Sequence, residues 1–260
     1  MSSWVLITGA TGGIGSELAT VFARRKAQLI LVGRNLEKLD ALAARLGQSF
    51  GAKVVTFACD FGDPSAPKAL KEWCDANDYT VDVLVNNAGY GSFGPFVDSD
   101  ADREAAMVAV NSAALVQLTR LFLPTMISQH YGRILNLSSM VAFMPGPFWI
   151  TYTATKTFNL SFSESLAAEC RGTGVTVTAL CPGPTDSGFA ADSGVGNDGV
   201  FGLIPHMTAR DVATYAVAAM ERGKIVAVPG PLNKVLAQVA RFTPHIISRP
   251  LVRAMQRVRK

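Results

Sequence analysis

The sequence predicts a single doubly wound α/β domain, a parallel sheet of about seven strands with helices on both faces. Three observations carry that expectation. Short β-branched runs alternate with longer segments of helical period. The strand candidates are apolar almost without interruption, as strands buried on both faces are. A glycine-rich turn, residues 8–15, joins the first strand to the first helix.

In order, the strands fall at 4–8, 28–33, 53–58, 81–86, 133–138, 175–180 and 225–228. The first six are separated by roughly 15 to 45 residues, room for a crossover helix each time. Helices are expected at 14–25, 36–46, 64–76, 102–127, 151–171 and 209–222. Pro64 suits a first helical turn, where its missing N–H costs nothing. Gly172 and Gly174 suit a helix end that leads into a strand. The glycine-rich stretch 186–205 breaks the alternation. A loop of that length is functional or a plain surface excursion, and a flap closing over a ligand is the preferred reading. Residues 1–230 are read as the binding and catalytic domain, and 231–260 as a basic helical extension of it.

Composition narrows the function. The chain is 49% apolar and 17% charged, which excludes a disordered chain. Twenty-four Lys and Arg against 20 Asp and Glu leave a net charge of +4, too little for a protein that coats nucleic acid. The cysteines at 59, 74, 170 and 181 form no CxxC pair, and the three histidines are scattered. A metal site or disulfide framework is therefore not expected, and reduced thiols suit a cytoplasmic protein. The apolar run at 4–7 follows no basic region and is too short for a signal-peptide core. No apolar run approaches the roughly 18 residues of a membrane span.

The turn Thr8-Gly9-Ala10-Thr11-Gly12-Gly13-Ile14-Gly15 sits where a dinucleotide's pyrophosphate rests in such a fold. A helix N-terminus offers unpaired N–H groups and a partial positive charge, and glycine lets backbone approach phosphate. No acid stands at Gly33 to accept from ribose hydroxyls. Arg34 follows, and its guanidinium suits a 2′-phosphate, although it can also simply cap or solvate the loop. The pattern favours NADP over NAD.

The TGxxxGxG spacing resembles the short-chain dehydrogenase/reductase family, in its shorter branch. Asp60 then resembles the family's adenine-contacting aspartate, and Asn87-Ala88-Gly89 closes its NNAG motif. Asn111, Ser139, Tyr152 and Lys156 match its catalytic tetrad. Ser139 is chosen over Ser138 by its spacing to the tyrosine. Pro182, Gly183 and Thr185 match the segment lining the nicotinamide, with a local ST-turn as the alternative for Thr185. The resemblance implies that Tyr152 exchanges the proton and Ser139 holds the substrate oxygen. It also implies that Lys156 lowers the tyrosine pKa and binds the nicotinamide ribose, and that Asn111 holds a relay water. The implied activity is NADP(H)-dependent interconversion of a carbonyl and a secondary alcohol. A homodimer or homotetramer through the helices of Asn111 and Tyr152 is also implied. A noncatalytic NADP(H) sensor or scaffold and a lipid-binding membrane-surface protein are the rival readings.

The residues themselves point to an apolar or acyl-type substrate. Phe93, Phe96, Met144, Phe148 and Trp149 cluster near the candidate loops, and Phe189, Val195, Val200, Phe201, Leu203 and Ile204 lie in the flap. From Arg222 to Lys260 there are nine Lys or Arg and no acid. Two helices, 232–242 and 246–258, are expected there, with Arg249, Arg253 and Arg257 forming a stripe. Such a tail can contact an anionic membrane or an acyl carrier or coenzyme A. It can also pack on the cleft or a partner subunit with its arginines in water, which is the favoured arrangement.

Overall fold

In the computed structural model, residues 3–189, 205–243 and 246 are described. The strands are β1 (Trp4–Thr8), β2 (Gln28–Gly33), β3 (Val54–Ala58), β4 (Val81–Asn86), β5 (Gly132–Leu137), β6 (Val175–Leu180), β7 (Thr185–Asp186), β8 (Met207–Thr208) and β9 (Val226–Ala227). Seven of them form one sheet in the order β3-β2-β1-β4-β5-β6-β9, and every neighbouring pair is parallel. The two-residue strands β7 and β8 pair separately.

Side-chain alternation builds both faces. Val5 and Ile7 of β1 join one core cluster, while Trp4 and Leu6 join the other, as a period of two requires. The first cluster is capped by α1 (Gly13–Arg24), α2 (Leu36–Phe50) and α7 (Ala209–Glu221), through side chains such as Phe22, Leu39, Leu46 and Val217. The second is capped by α3 (Ala66–Ala76) and α5 (Ala114–Ser128), through Leu70, Leu118, Phe122 and Met126. The expected doubly wound architecture is therefore present.

Helix ends differ from expectation where capping decides them. Helix α2 runs past Gly47 and stops at Gly51, whose φ of 63° closes the helix with a bond from its N–H to the Gly47 carbonyl. Helix α3 begins at Ala66 with Pro67 in its first turn. Pro64 lies in the preceding turn instead, where Asp63 accepts from Ser65 N–H at 2.8 Å. The expected helix at 102–127 is α4 (Ala101–Val108), a π-turn (Ala109–Ala113) and then α5. By length and composition this stretch, Ala101–Ser128, could cross a membrane, but here α5 places its apolar face on the sheet. Helices α6 (Ile150–Glu169) and α8 (Pro231–Phe242) complete the order. The second tail helix and its arginine stripe, with residues 190–204 of the flap, lie outside the described residues.

Candidate active site

The glycine turn and the loop after β4 are interlocked. Thr8 Oγ1 accepts from the N–H groups of Asn87 and Ala88 at 2.9 Å, and Asn87 Nδ2 donates to the carbonyls of Thr8 and Gly9 at 2.9 and 3.0 Å. Gly9 has φ 61°. A Cβ there would stand 2.9 Å from Ala88 Cα, and one at Gly15 would stand 2.3 Å from the Gly9 carbonyl oxygen. Side chains at these two positions would force the loops apart.

Helix α1 opens at Gly12 with no side-chain cap and no acid in its first turn. Thr11 and Gly12 are exposed, and Gly13 and Ile14 half-buried. The first-turn N–H donors thus carry no side-chain cap, as a diphosphate site requires, and the backbone of Ser187 lies against Gly13, where a Cβ would stand 2.6 Å from the Ser187 Cα. Arg34 and Asp60 follow β2 and β3 at the same edge of the sheet, both exposed. Asp60 Oδ1 accepts from Gly62 N–H at 2.9 Å.

The tetrad candidates converge where β4 and β5 end against α6. The two serines point apart, as strand alternation requires. Ser138 Oγ donates to the Lys156 carbonyl at 2.7 Å, whereas Ser139 Oγ accepts from Val141 N–H at 3.3 Å and lies near enough to the Tyr152 phenol to favour its ionised form. Lys156 Nζ donates to the Leu137 carbonyl at 2.9 Å and stands 5.5 Å from the Tyr152 ring centroid. A Cβ at Gly89 would lie 2.9 Å from Asn111 Oδ1 and 3.5 Å from Lys156 Nζ, so the NNAG loop packs closely on Asn111 and touches the ammonium.

Burial governs the protonation of both groups. It pushes the Tyr152 phenol up to about 12, with the Ser139 hydrogen bond pulling the other way. It pulls the Lys156 ammonium down to about 8. Desolvation sets the direction of the shift in both groups.

Asn111 is 1% exposed and lies in the π-turn. Its Oδ1 accepts from Tyr90 N–H at 3.0 Å, and its Nδ2 donates to the Tyr90 carbonyl at 2.9 Å and to Thr155 Oγ1 at 3.1 Å. The Asn111 carbonyl accepts from Asn159 Nδ2 at 2.9 Å, and the same amide reaches the Leu137 carbonyl at 3.3 Å. Asn159 thus bonds the backbone of Asn111 and shares the Leu137 carbonyl with Lys156 Nζ, and the sequence reading missed it. Its signal was helical spacing, since 152, 156 and 159 share one face of α6. The line continues from Ser163 to Asn136 and Asn86, hydrogen-bonded in turn across the sheet centre.

Pro182 accepts from Met140 N–H at 2.9 Å through its carbonyl, and Gly183 lies against Asn233 of α8. Thr185 Oγ1 donates to the Gly183 carbonyl at 2.9 Å, the local turn left open above. Around the phenol stand Met107, Val141, Trp149, Tyr90, Phe93 and Phe189. The Trp149 ring meets Tyr152 edge-on at 5.4 Å, and the Phe189 ring lies 5.2 Å away on another side. Phe148 packs on Phe93 at 6.2 Å. Phe96 is not part of this wall; it is exposed on a short 3-10 turn.

Comparison with known proteins agrees with this geometry. A family model described as short chain dehydrogenase matches residues 3–197. The bovine protein named dehydrogenase/reductase SDR family member 7B is 30% identical over 98% of this chain and 82% of its own length. A very-long-chain 3-oxoacyl-CoA reductase of Laccaria bicolor is 36% identical over 68% of this chain, and the match spans about half of that relative, 53%. Among solved structures, a short-chain dehydrogenase from Sphingobium yanoikuyae in complex with NADPH superposes with a TM-score of 0.81 at 30% identity, covering 93% of this chain and 96% of that one. A glycine turn built for a dinucleotide, a serine, tyrosine and lysine gathered beneath it, and matches over most of the chain place this protein in the short-chain dehydrogenase/reductase family of oxidoreductases.

Proposed function

We propose that the protein is an NADP(H)-dependent oxidoreductase that interconverts a carbonyl and a secondary alcohol on an apolar or acyl-type substrate. The observation that carries this reading is the Ser139–Tyr152–Lys156 cluster within an apolar, aromatic wall. When bound, the nicotinamide supplies the hydride for reduction, or accepts it in oxidation. The uncapped start of α1 would hold the diphosphate, and Arg34 the 2′-phosphate, since no acid stands at Gly33 to repel it. Among the described residues the Lys156 ammonium has one acceptor, the Leu137 carbonyl, which leaves donors for ribose hydroxyls.

Tyr152 is held as a neutral phenol, the form a proton donor needs. In reduction its proton goes to the carbonyl oxygen as that oxygen gains charge, with Ser139 hydrogen-bonded to the same oxygen. Asn111 and Asn159 fix the backbone beside Lys156 rather than touching the substrate. The aromatic wall and the 3-oxoacyl-CoA reductase relative both favour an apolar acyl chain over a sugar. Exposed Ile127 of α5 and Ile150 and Phe158 of α6 suit a helix-to-helix contact between copies of the chain. Four free thiols suit a reducing compartment.

The test is NADPH consumption with a panel of apolar ketones and 3-oxoacyl thioesters. Turnover that falls by about 100-fold or more in Tyr152→Phe, with NADPH binding retained, is expected. Undiminished turnover in that variant would overturn the proton-donor role, and NADPH binding with no turnover on any carbonyl would favour a sensor.

A further inference from the structure

Helix α8 carries an apolar ridge that nothing among the described residues covers. Leu232, Val235, Val239 and Phe242 are 48–78% exposed and share one face, and Ile246 beyond the helix is 83% exposed. The opposite face packs inward through Asn233 and Ala237. Four large apolar side chains in register on one exposed face are not the scattered apolar residues of an ordinary surface.

Beside this ridge lies a cavity of about 310 Å³ between α7, β9 and α8. Lys224, Lys234 and Arg241 line it, over an apolar floor that includes Phe143, Val226 and Val228. Arg241 pairs with Glu164 at 3.5 Å, while no carboxylate pairs with Lys224 or Lys234 among the described residues. From Arg222 onward the sequence holds nine cations and no acid, whereas residues 1–221 are net acidic, with twenty Asp and Glu against fifteen Lys and Arg. Lys234 and Arg241 therefore sit on the side of α8 next to the ridge, and Lys224 lines the same cavity from the turn before β9. Neither signal alone suffices for stable attachment to a bilayer, but apolar insertion and a polybasic patch together do.

We propose that α8 docks the protein on a membrane surface bearing anionic lipids. The ridge enters the boundary between headgroups and acyl chains, and Lys224, Lys234 and Arg241 meet the headgroup phosphates. A second copy of this chain is the competing occupant. It is disfavoured because it would bring together Lys224 and Lys234 of two copies, which no carboxylate neutralises among the described residues. The proposal stands independently of the catalytic reading. Helix α8 also packs on Gly183 and on the residues after Ser139, so docking would hold the candidate cleft near the lipid surface.

The experiment is flotation of the full chain with phosphatidylcholine vesicles, with and without phosphatidylserine, at physiological and high salt. The expected result is binding to the phosphatidylserine vesicles alone, weakened by salt. Val239→Asp with Phe242→Asp should reduce that binding by about tenfold or more, as should Lys224→Gln with Lys234→Gln. Both pairs should keep the far-ultraviolet circular dichroism and NADPH binding of the parent. Absence of binding, binding indifferent to lipid charge, or binding retained by the Asp pair would overturn the proposal. A drop in oligomer mass by light scattering in the Asp pair, without a change in flotation, would assign the ridge to a contact between copies. Flotation needs no turnover, so loss of the catalytic reading would leave this result interpretable.

Discussion

Lys156 forms no ion pair with a carboxylate among the described residues, and desolvation lowers it to about 8 from the ordinary 10.5. Between those two values the unfolded chain holds more protons than the folded one. Stability attributable to this residue therefore rises with pH across that window, and the penalty is complete below about 8. The ammonium is also the form that binds hydroxyl groups. We expect kcat/KM for NADPH-dependent reduction to fall above a midpoint near pH 8, while the Tyr152 phenol stays protonated to about 12. In Lys156→Met the descending limb should vanish, leaving a flat profile about 100-fold lower. A limb that survives the substitution would belong to another group.

Asn159 invites a different measurement. Its amide satisfies two buried carbonyls, those of Asn111 and Leu137. Asn159→Val keeps the approximate volume and removes both bonds, so urea denaturation should show a loss of about 1–3 kcal/mol. Reduction should slow as well, because Lys156 shares the Leu137 acceptor. Unchanged kinetics with the stability loss would make Asn159 a packing residue only. Its role was not legible in the sequence, since it depends on α6 meeting a π-turn that no glycine or proline announces at 109–113.

At the scale of elements, the strands were the most legible features. A parallel strand buried on both faces must be apolar throughout, and β1, β2, β4 and β6 occupy the expected ranges. Ends set by caps were less so. Gly47 continues its helix because the left-handed turn falls at Gly51, and Pro67, not Pro64, occupies the first turn of α3. The turn between β2 and α2 yields a prediction of its own. Asn35 caps α2 by accepting from Lys38 N–H at 2.9 Å, so Arg34 is not needed as the cap and remains exposed. Arg34→Ala should raise the Kd for NADPH by about tenfold to 100-fold, the worth of a charge-assisted hydrogen bond of about 1.5–3 kcal/mol, and leave NADH binding little changed. Equal losses, read by fluorescence titration, would remove its role at the 2′-phosphate.

For the whole molecule, the candidate site lies along the carboxyl edge of the sheet, as doubly wound folds dictate. That Ser139, Tyr152 and Lys156 come together was legible through the family resemblance, and the spacing of 152 and 156 on one helix agrees with it. The aromatic wall was readable only in part. Phe93, Phe148, Trp149 and Phe189 meet there, but Phe96 does not, because that depends on how the loop after β4 folds back on α4. The segment carrying Phe189 is tied to β8 and α7 through β7 and reaches Tyr152 of α6 through the Phe189 ring.

That roof has a kinetic consequence. Tyr152 is only 7% exposed, and Phe189 lies against it and against Gly91, so an aromatic ring covers part of the approach to the phenol. If uncovering is slower than bond-making, deuterium on the transferring carbon of NADPH should scarcely slow turnover. Trimming the roof with Phe189→Ala should then let the isotope effect emerge, while a large effect already present in the parent would mean that the ring moves freely.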